Sequence, residues 1–268
     1  MTTVTPSGWL KDPRFKVEPD GTTIDLLALD KKFETLVAAR GLKVGTGVVD
    51  LSPYCVAMNQ YTVGSCTGCA TCESLEILEN IADGNATVLS RLFTYAMART
   101  IEGTLGSDEG SHVRTCFETL ALMGVCTEVI WPYDMSQVCV SPSIVAQQQA
   151  VGHKIDAYYR ITSTGDQRLT DVQTALYNKL PVVIGTDVGS NFQALSGSLG
   201  PLDVPSGSSD GHALVIVGYD PTSNLYLVKN SWGTSWGLNG FCQFTADYLT
   251  WDSTDDLWVP TLAPVFAT

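Results

Sequence analysis

Between residues 211 and 241 the apolar positions fall in two nearly continuous runs. Ala213-Leu214-Val215-Ile216-Val217 and Leu225-Tyr226-Leu227-Val228 are rich in β-branched and aromatic residues, and the polar stretch Asp220-Pro221-Thr222-Ser223-Asn224 separates them. This pattern predicts a β-hairpin. Upstream the period changes. Ala70, Leu75, Ile77, Leu78 and Ile81 predict a helix over 65–80, opened by Gly64-Ser65 as a flexible entry and cap and stopped near Asp83-Gly84-Asn85. Further helices are expected over 86–102 and over 111–123, the latter from Val113, Cys116, Phe117, Leu120 and Leu122. Residues 154–161 alternate, with Ile155, Ala157, Tyr159 and Ile161 on one face of a strand. A surface helix over 169–179, a buried strand over 181–188 and a strand from Phe241 to Phe244 complete the second half. The Gly- and Ser-rich stretch 189–211 is a long loop, and loops of that length in a compact domain are usually functional or mobile, so it is expected to border a cleft. Near the start, Asp12-Pro13 and Glu18-Pro19-Asp20-Gly21 mark turns, and 24–37 fits one short amphipathic helix.

Candidate chemistry sits at the edges of these elements. His212 opens the first strand of the hairpin and Asn230 ends the second, with Trp232 two residues on. A histidine that shuttles protons needs a partner on its other ring nitrogen, and a neighbouring strand can supply one. Cys66 is placed in the first turn of a buried helix, where the helix dipole favours a thiolate. The motif Cys66-x2-Cys69-x2-Cys72 has the start of an iron–sulfur ligand run, but position 76 is Glu where a fourth cysteine is required. Cys69 and Cys72 are therefore read as small buried residues, and no metal site is expected. His112 and His153 have no carboxylate or cysteine at ligand spacing and are given structural or surface roles. Gly233-Thr234-Ser235-Trp236-Gly237 satisfies a serine-hydrolase pattern, yet a strand rather than a helix follows and no histidine lies downstream, so the match is accidental.

Composition narrows the class. Of 268 residues, 44% are apolar and 16% charged, enough for a sizeable core and too few charges for a disordered chain. The net charge of −13 argues against a nucleic-acid partner and reads as an acidic, soluble surface. No apolar run reaches membrane-spanning length. Met1 to Trp9 lacks a basic n-region, an apolar h-region and a myristoylation glycine, so a cytosolic location, or release without a classical signal, is expected. Reduced thiols are then expected for the eight cysteines, and the sequon Asn85-Ala86-Thr87 carries no meaning without secretion.

A cysteine early in the domain, with a histidine roughly 130–150 residues on and an asparagine slightly beyond that interval, follows the order of a known peptidase class. Gln60-x5-Cys66, Gly211-His212-Ala213 and Asn230-Ser231-Trp232-Gly233-Thr234-x-Trp236-Gly237-x2-Gly240 resemble the oxyanion, histidine and asparagine motifs of papain-family cysteine peptidases. Weaker similarity lies at 124–134, and Asp255-Asp256-Leu257-Trp258 is similar to bacterial or viral branches. The resemblance implies an α+β, two-lobed papain-like fold, with a helical lobe and an antiparallel β-barrel-like lobe flanking the active-site cleft. It implies a peptidase domain over 46–268, preceded at 1–45 by a short pro-segment or an extension packed on the body. Its activity would be hydrolysis of a peptide or protein substrate through a thioester, without cofactor. Cys66 would be the nucleophile in a thiolate–imidazolium pair with His212. Asn230 would orient the ring, Trp232 would shield that bond, and Gln60 would bind the oxyanion. Gly110, Gly211 and Trp232 would contact substrate. Three positions depart from the family: Thr67 replaces a tryptophan, Val63 a disulfide cysteine, and Gly211 an Asp or Asn. The departures at 67 and 211 leave an inactive binding protein as one alternative. A transpeptidase or ligase using the same site is another.

Overall fold

The computed structural model describes residues 8–84, 86–207 and 209–263. Residues 1–7, Asn85 of the sequon and Ser208 of the long loop lie outside them. The first elements form an arch on one side of the molecule. Strands β1 (Phe15–Val17) and β2 (Thr23–Asp25) pair antiparallel, and the expected turn closes them through the Gly21 N–H and the Glu18 carbonyl at 2.9 Å. The single helix expected over 24–37 is instead β2 followed by α1 (Leu26–Leu29) and α2 (Phe33–Arg40). The break has two causes. Asp25 caps α1 by accepting the Leu27 N–H, and Asp30 is drawn into an ion pair with Arg114. Phe33 and Leu36 of α2 are buried in the core.

After the two-residue strand β3 (Val49–Asp50) comes the helical layer: α3 (Cys66–Asp83), α4 (Arg91–Glu102), α5 (Val113–Leu122) and the short α6 (Ile144–Gln149). Helix α3 stops where its sequence signal lies, at Gly84 in the left-handed region, whose N–H returns to the Asn80 carbonyl. Helix α4 begins later than expected. Leu89 bridges to Thr127, and only Ser90, whose Oγ accepts the Phe93 N–H at 3.2 Å, can cap the helix. Helix α5 starts at Val113 because Ser111 is committed to backbone pairing with another segment.

The other layer is a seven-stranded antiparallel sheet. In chain order its remaining members are β4 (Ala157–Ile161), β5 (Val182–Val188), β6 (Asp210–Asp220), β7 (Leu225–Lys229), β8 (Phe241–Thr245) and β9 (Asp255–Thr261). Their spatial order is β4-β9-β5-β6-β7-β8, with β3 also on β6. The barrel-like expectation is corrected here, because the sheet stays open. Each edge is covered by a loop instead of by the opposite edge. The Arg160 N–H donates to the Lys31 carbonyl beside β4, and the Gln243 N–H donates to the Leu199 carbonyl beside β8. Between β4 and the sheet's later strands run α7 (Gly165–Tyr177), longer than expected at its start, α8 (Ser190–Gln193), a single turn inside the long loop, and, after β8, α9 (Ala246–Thr250). No helix among the described residues is long and apolar enough to cross a membrane.

Strand β4 departs from its expected half-buried pattern. Arg160, on the face opposite Ile161, is as buried as Ile161 itself. It meets Asp256 at 2.6 Å, Asp12 at 3.3 Å and Asp30 at 3.6 Å, and it lies over the Trp258 ring beside Arg114. This charge cluster joins the arch to β4 and β9. Removing one partner from a buried charge cluster leaves the others uncompensated. Arg160→Ala is therefore expected to lower unfolding free energy by about 3–5 kcal/mol, measured by urea denaturation. A loss below about 1 kcal/mol would place the cluster among weak surface pairs.

Candidate active site

Helix α3 points its first residue at the sheet. Cys66 is fully buried where α3 packs on β6, with the backbone of Ala213 of β6 and of Gly8 of the N-terminal segment near its sulfur. Ser65 occupies the N-cap position but does not cap. Its hydroxyl goes instead to Tyr133 Oη at 2.5 Å and toward Cys69 Sγ at 3.7 Å. The first turn of α3 therefore keeps backbone N–H groups uncapped by that side chain, as an anion-binding helix start requires.

His212 sits at the start of β6, one residue from Ala213 and opposite Thr186 in the register. Its Nε2 lies 2.8 Å from Asn230 Oδ1. The same Oδ1 accepts the Ser231 N–H at 2.7 Å, which identifies it as the carbonyl oxygen and makes His212 Nε2 the donor. The ring is thereby held in the tautomer whose Nδ1 carries a lone pair. That Nδ1 is buried and has no hydrogen-bond partner among the described residues. Trp232 packs on the imidazole with ring centroids 4.9 Å apart, and Phe192 of α8 meets both rings, 5.9 Å from His212 and 5.1 Å from Trp232. Phe192 gives the long loop its place beside the site, and nothing in its sequence spacing marks it.

Gln60 is fully buried, six residues ahead of Cys66. Its Nε2 donates to the Val63 carbonyl at 2.9 Å, and its Oε1 accepts the Ser231 hydroxyl at 2.5 Å. These two bonds fix the side-chain amide and leave one N–H of Nε2 unassigned. Ser231 was not singled out in the sequence, although it lies inside the motif around Asn230. Gly110 has φ +91° and gives its N–H to Tyr95 Oη at 3.1 Å. The next residue, Ser111, receives the Leu10 N–H and donates to the Gly8 carbonyl, both at 3.0 Å. Gly211 lies on a groove with Trp9, Lys11, Asp187 and Ser253. His112 and His153 stand away from these groups, paired with Glu102 at 3.0 Å and Glu79 at 2.9 Å. The sulfurs of the Cys66-x2-Cys69-x2-Cys72 run diverge, Cys69 toward Ser65 and Cys72 to Thr94 Oγ1 at 3.1 Å. The serine of the hydrolase-like pattern, Ser235, lies in the turn before β8.

A papain family cysteine protease profile matches residues 54–252. The chain belongs to the papain family. It is 31% identical over 263 residues to an uncharacterized peptidase C1-like protein of Acanthamoeba polyphaga mimivirus, covering 91% of this chain and 84% of that one. Against chymopapain of Carica papaya the identity is 29%, over 68% of this chain and 49% of the relative, so the chain spans about half that plant protein's length. Among solved structures, xylellain, a cysteine protease from Xylella fastidiosa, superposes with a TM-score of 0.77 at 25% identity and 97% coverage of both chains. Bromelain from Ananas comosus, solved with the E64 inhibitor, shares the fold at a TM-score of 0.63 and 23% identity. Viral and bacterial relatives thus stand beside this papain-family chain, as the Asp255–Trp258 stretch implies.

Burial in this papain-family site works against a thiolate–imidazolium pair in the conformation seen here. Burial pushes the Cys66 thiol up to about 12, against the pull of the nearby Ala213 and Gly8 backbone. Burial likewise lowers His212 to about 4, against its bond to Asn230. Both shifts favour the neutral thiol and the neutral imidazole while the site is buried. Iodoacetamide labelling of Cys66 in the intact chain is therefore expected to show no inflection between pH 3 and 7 and to rise only in alkali. At pH 7 it should run at least about a hundredfold below a free thiol of ordinary pKa. A labelling rate that climbs through pH 4 and then stays flat would instead demonstrate a resident ion pair.

Proposed function

We propose that this chain is an endopeptidase that cleaves peptide bonds through a thioester on Cys66, with His212 as base and acid, Asn230 as its orienting partner and Gln60 in the oxyanion site. The observation that carries this reading is the tautomer fixed by Asn230 Oδ1, which leaves a lone pair on the buried, unpartnered Nδ1 of His212, one residue before Ala213, whose backbone lies near the Cys66 sulfur. Membership of a cysteine protease family supports the reaction class.

The steps follow from these atoms. His212 Nδ1 removes the thiol proton as the sulfur attacks the scissile carbonyl carbon, and the C–O π pair moves onto oxygen. The developing oxyanion is met by the Cys66 backbone N–H at the start of α3 and by the unassigned N–H of Gln60 Nε2. The imidazolium returns its proton to the leaving nitrogen as the C–N bond breaks, leaving an acyl thioester. Water, deprotonated by the same Nδ1, then attacks the thioester and expels the thiol. Trp232 excludes water from the bond between His212 and Asn230, which keeps the ring plane fixed through both half-reactions. Substrate backbone would pair along Gly110-Ser111, with Gly211 on the opposite wall.

Two outcomes check these roles. Cys66→Ala is expected to abolish cleavage of a fluorogenic peptide, whereas Cys69→Ala, whose sulfur is turned toward Ser65, retains it. The reverse pattern would move the nucleophile. Gln60→Ala is expected to reduce kcat by about 10²–10³ with the fold intact by circular dichroism. A change of only a few-fold would remove Gln60 from the oxyanion site.

A further inference from the structure

The loop that carries Gln60 into the first turn of α3 is tied down from outside by one carboxylate. Gly64 stands two residues before Cys66, and its N–H points at Asp108, 3.1 Å from Oδ1 and 3.1 Å from Oδ2. Oδ1 also accepts the Tyr95 hydroxyl at 2.7 Å. The Tyr95 oxygen in turn accepts the Gly110 N–H at 3.1 Å. The direction of this chain of bonds is forced at both ends. A backbone N–H can only donate and an ionised carboxylate can only accept, so the one hydroxyl proton of Tyr95 goes to Asp108 and a lone pair faces Gly110. Bonds to a carboxylate are shorter than those between neutral groups and about twice as strong. The contact leaves little room. A Cβ on Gly64 would lie 3.2 Å from Asp108 Oδ1, 3.3 Å from Tyr95 Oη and 3.5 Å from the Gly110 nitrogen, so position 64 carries no side chain where three polar groups converge.

Helix α4 holds the carboxylate in turn. Tyr95 and Arg99 lie about one turn apart on that helix, and both are fully buried. The Arg99 guanidinium stacks on the Tyr95 ring, 3.8 Å from its centroid, and donates to the carbonyl of Ser107, the residue before Asp108. Its other terminal nitrogen reaches the Val138 carbonyl. The backbone between is closed as well. The Thr104 N–H returns to the Arg99 carbonyl at 2.8 Å, and the Ser107 N–H to the Thr104 carbonyl at 3.1 Å. Asp108 therefore stands at the surface on a loop pinned at several points. No covalent tie shares this work. Val63, next to Gly64, is buried and carries no sulfur, and all eight cysteines are free thiols.

We propose that Asp108 is a positioning residue: through Gly64 and Tyr95 it clips the oxyanion loop to the substrate wall at Gly110, and so fixes where Gln60 and the start of α3 stand against the scissile carbonyl. This role, though not the clip itself, rests on the peptidase reading above. Gln60 Nε2 is bonded to the carbonyl of Val63 at 2.9 Å, so the glutamine amide moves with the residue next to the clip. On the other side Gly110 leads directly into Ser111. Opening the clip takes away the common reference of the oxyanion donors and the substrate strand. Misplacing reacting groups by about 1 Å costs about 10²-fold in rate. The oxyanion contact forms in the transition state, so the loss falls on kcat.

Wild type, Asp108→Ala, Asp108→Asn, Tyr95→Phe, Gln60→Ala and the double variant of Asp108→Ala with Gln60→Ala are prepared as full chains. Hydrogen exchange of the Gly64 and Gly110 amides is followed by NMR, and kcat and KM are measured with the fluorogenic peptide. Asp108→Ala is expected to speed Gly64 exchange by at least about tenfold. Tyr95→Phe, which removes only a hydroxyl, should do the same for Gly110. Asp108→Ala is expected to lower kcat by about 10–100-fold. Asp108→Asn keeps an acceptor at Oδ1, where the Gly64 and Tyr95 bonds meet, and should stay within about threefold of wild type. On the Gln60→Ala background the same alanine is expected to cost no more than about threefold, because the donor it places is already gone. A change that merely loosened the fold would cost the same factor on both backgrounds. Unchanged exchange of Gly64 in Asp108→Ala and of Gly110 in Tyr95→Phe would overturn the clip, whatever the activity. An Asp108→Ala kcat within about threefold of wild type, or an equal loss on both backgrounds, would overturn the positioning role. Faster exchange in the variants of a chain whose wild type cleaves no peptide would leave the clip standing and sink the peptidase reading.

Discussion

Two short runs of backbone hold the halves of the site in register. Residues 58–60, just ahead of α3, lie antiparallel to 231–233, just beyond β7. The Gln60 N–H donates to the Ser231 carbonyl and the Gly233 N–H to the Met58 carbonyl, both at 2.8 Å, with Asn59 bridged to Trp232 between them. The Ser231 hydroxyl adds a bond to Gln60 Oε1. One small ladder thus positions Gln60, the start of α3, Asn230 and Trp232 together. The geometry demands Gly233 in the left-handed region at φ +77°, where a side chain would also meet Asn59. The joint adds backbone bonds between the segments that lead into Cys66 and out of Asn230 to the packing of α3 on β6.

Charge is handled by burial throughout this half of the molecule. Beneath the joint, Glu76 and Arg91 pair at 3.0 Å inside the helical layer, and Lys229 donates to the Asn230 carbonyl at 2.7 Å. On the far side of the cleft, Asp12, Asp30 and Asp256 crowd around Arg114 and Arg160. Burial and the neighbouring Asp256 raise Asp12 to about 7. A carboxyl raised in the folded state binds a proton that the unfolded chain has already lost. Asp12 therefore contributes most stability below about pH 4, and that contribution falls away as pH rises toward 7. The arch is thus tied to the body by contacts whose strength depends on pH, in contrast to the apolar seat of Phe33 and Leu36.

The legible part of the structure is the part that repeats a local rule. The hairpin around Asp220–Asn224, the stop of α3 at Gly84 and the order of Cys66, His212 and Asn230 each follow from neighbouring residues or from a long motif. What was illegible depends on pairings between distant segments. The late start of α4 comes from Leu89 meeting Thr127, and the shortened α5 from Ser111 taking up residues 8 and 10. Buried Arg160 sits in a strand whose alternation predicted a solvent face, because its carboxylate partners arrive from Asp12, Asp30 and Asp256. Ser65 has the right residue type for a cap and spends its hydroxyl on Tyr133 instead. Phe192 and Gly185 shape the cleft through an aromatic contact and a missing side chain, and neither leaves a periodic signal. The same applies to Gly8 and Trp9, whose places are set by Gly64, Gly185 and Asp256.

In the proposed reaction the joint between residues 58–60 and 231–233 holds the Cys66 sulfur where it meets a substrate carbonyl. The most direct measurement is rapid-quench mass spectrometry of the chain mixed with a slowly hydrolysed peptide ester, followed by digestion and mapping of any acyl group. The account predicts a transient acyl mass confined to the peptide bearing Cys66 and absent from His212→Ala. An acyl group mapped to another of the eight cysteines, or turnover with no covalent adduct at any time, would contradict it.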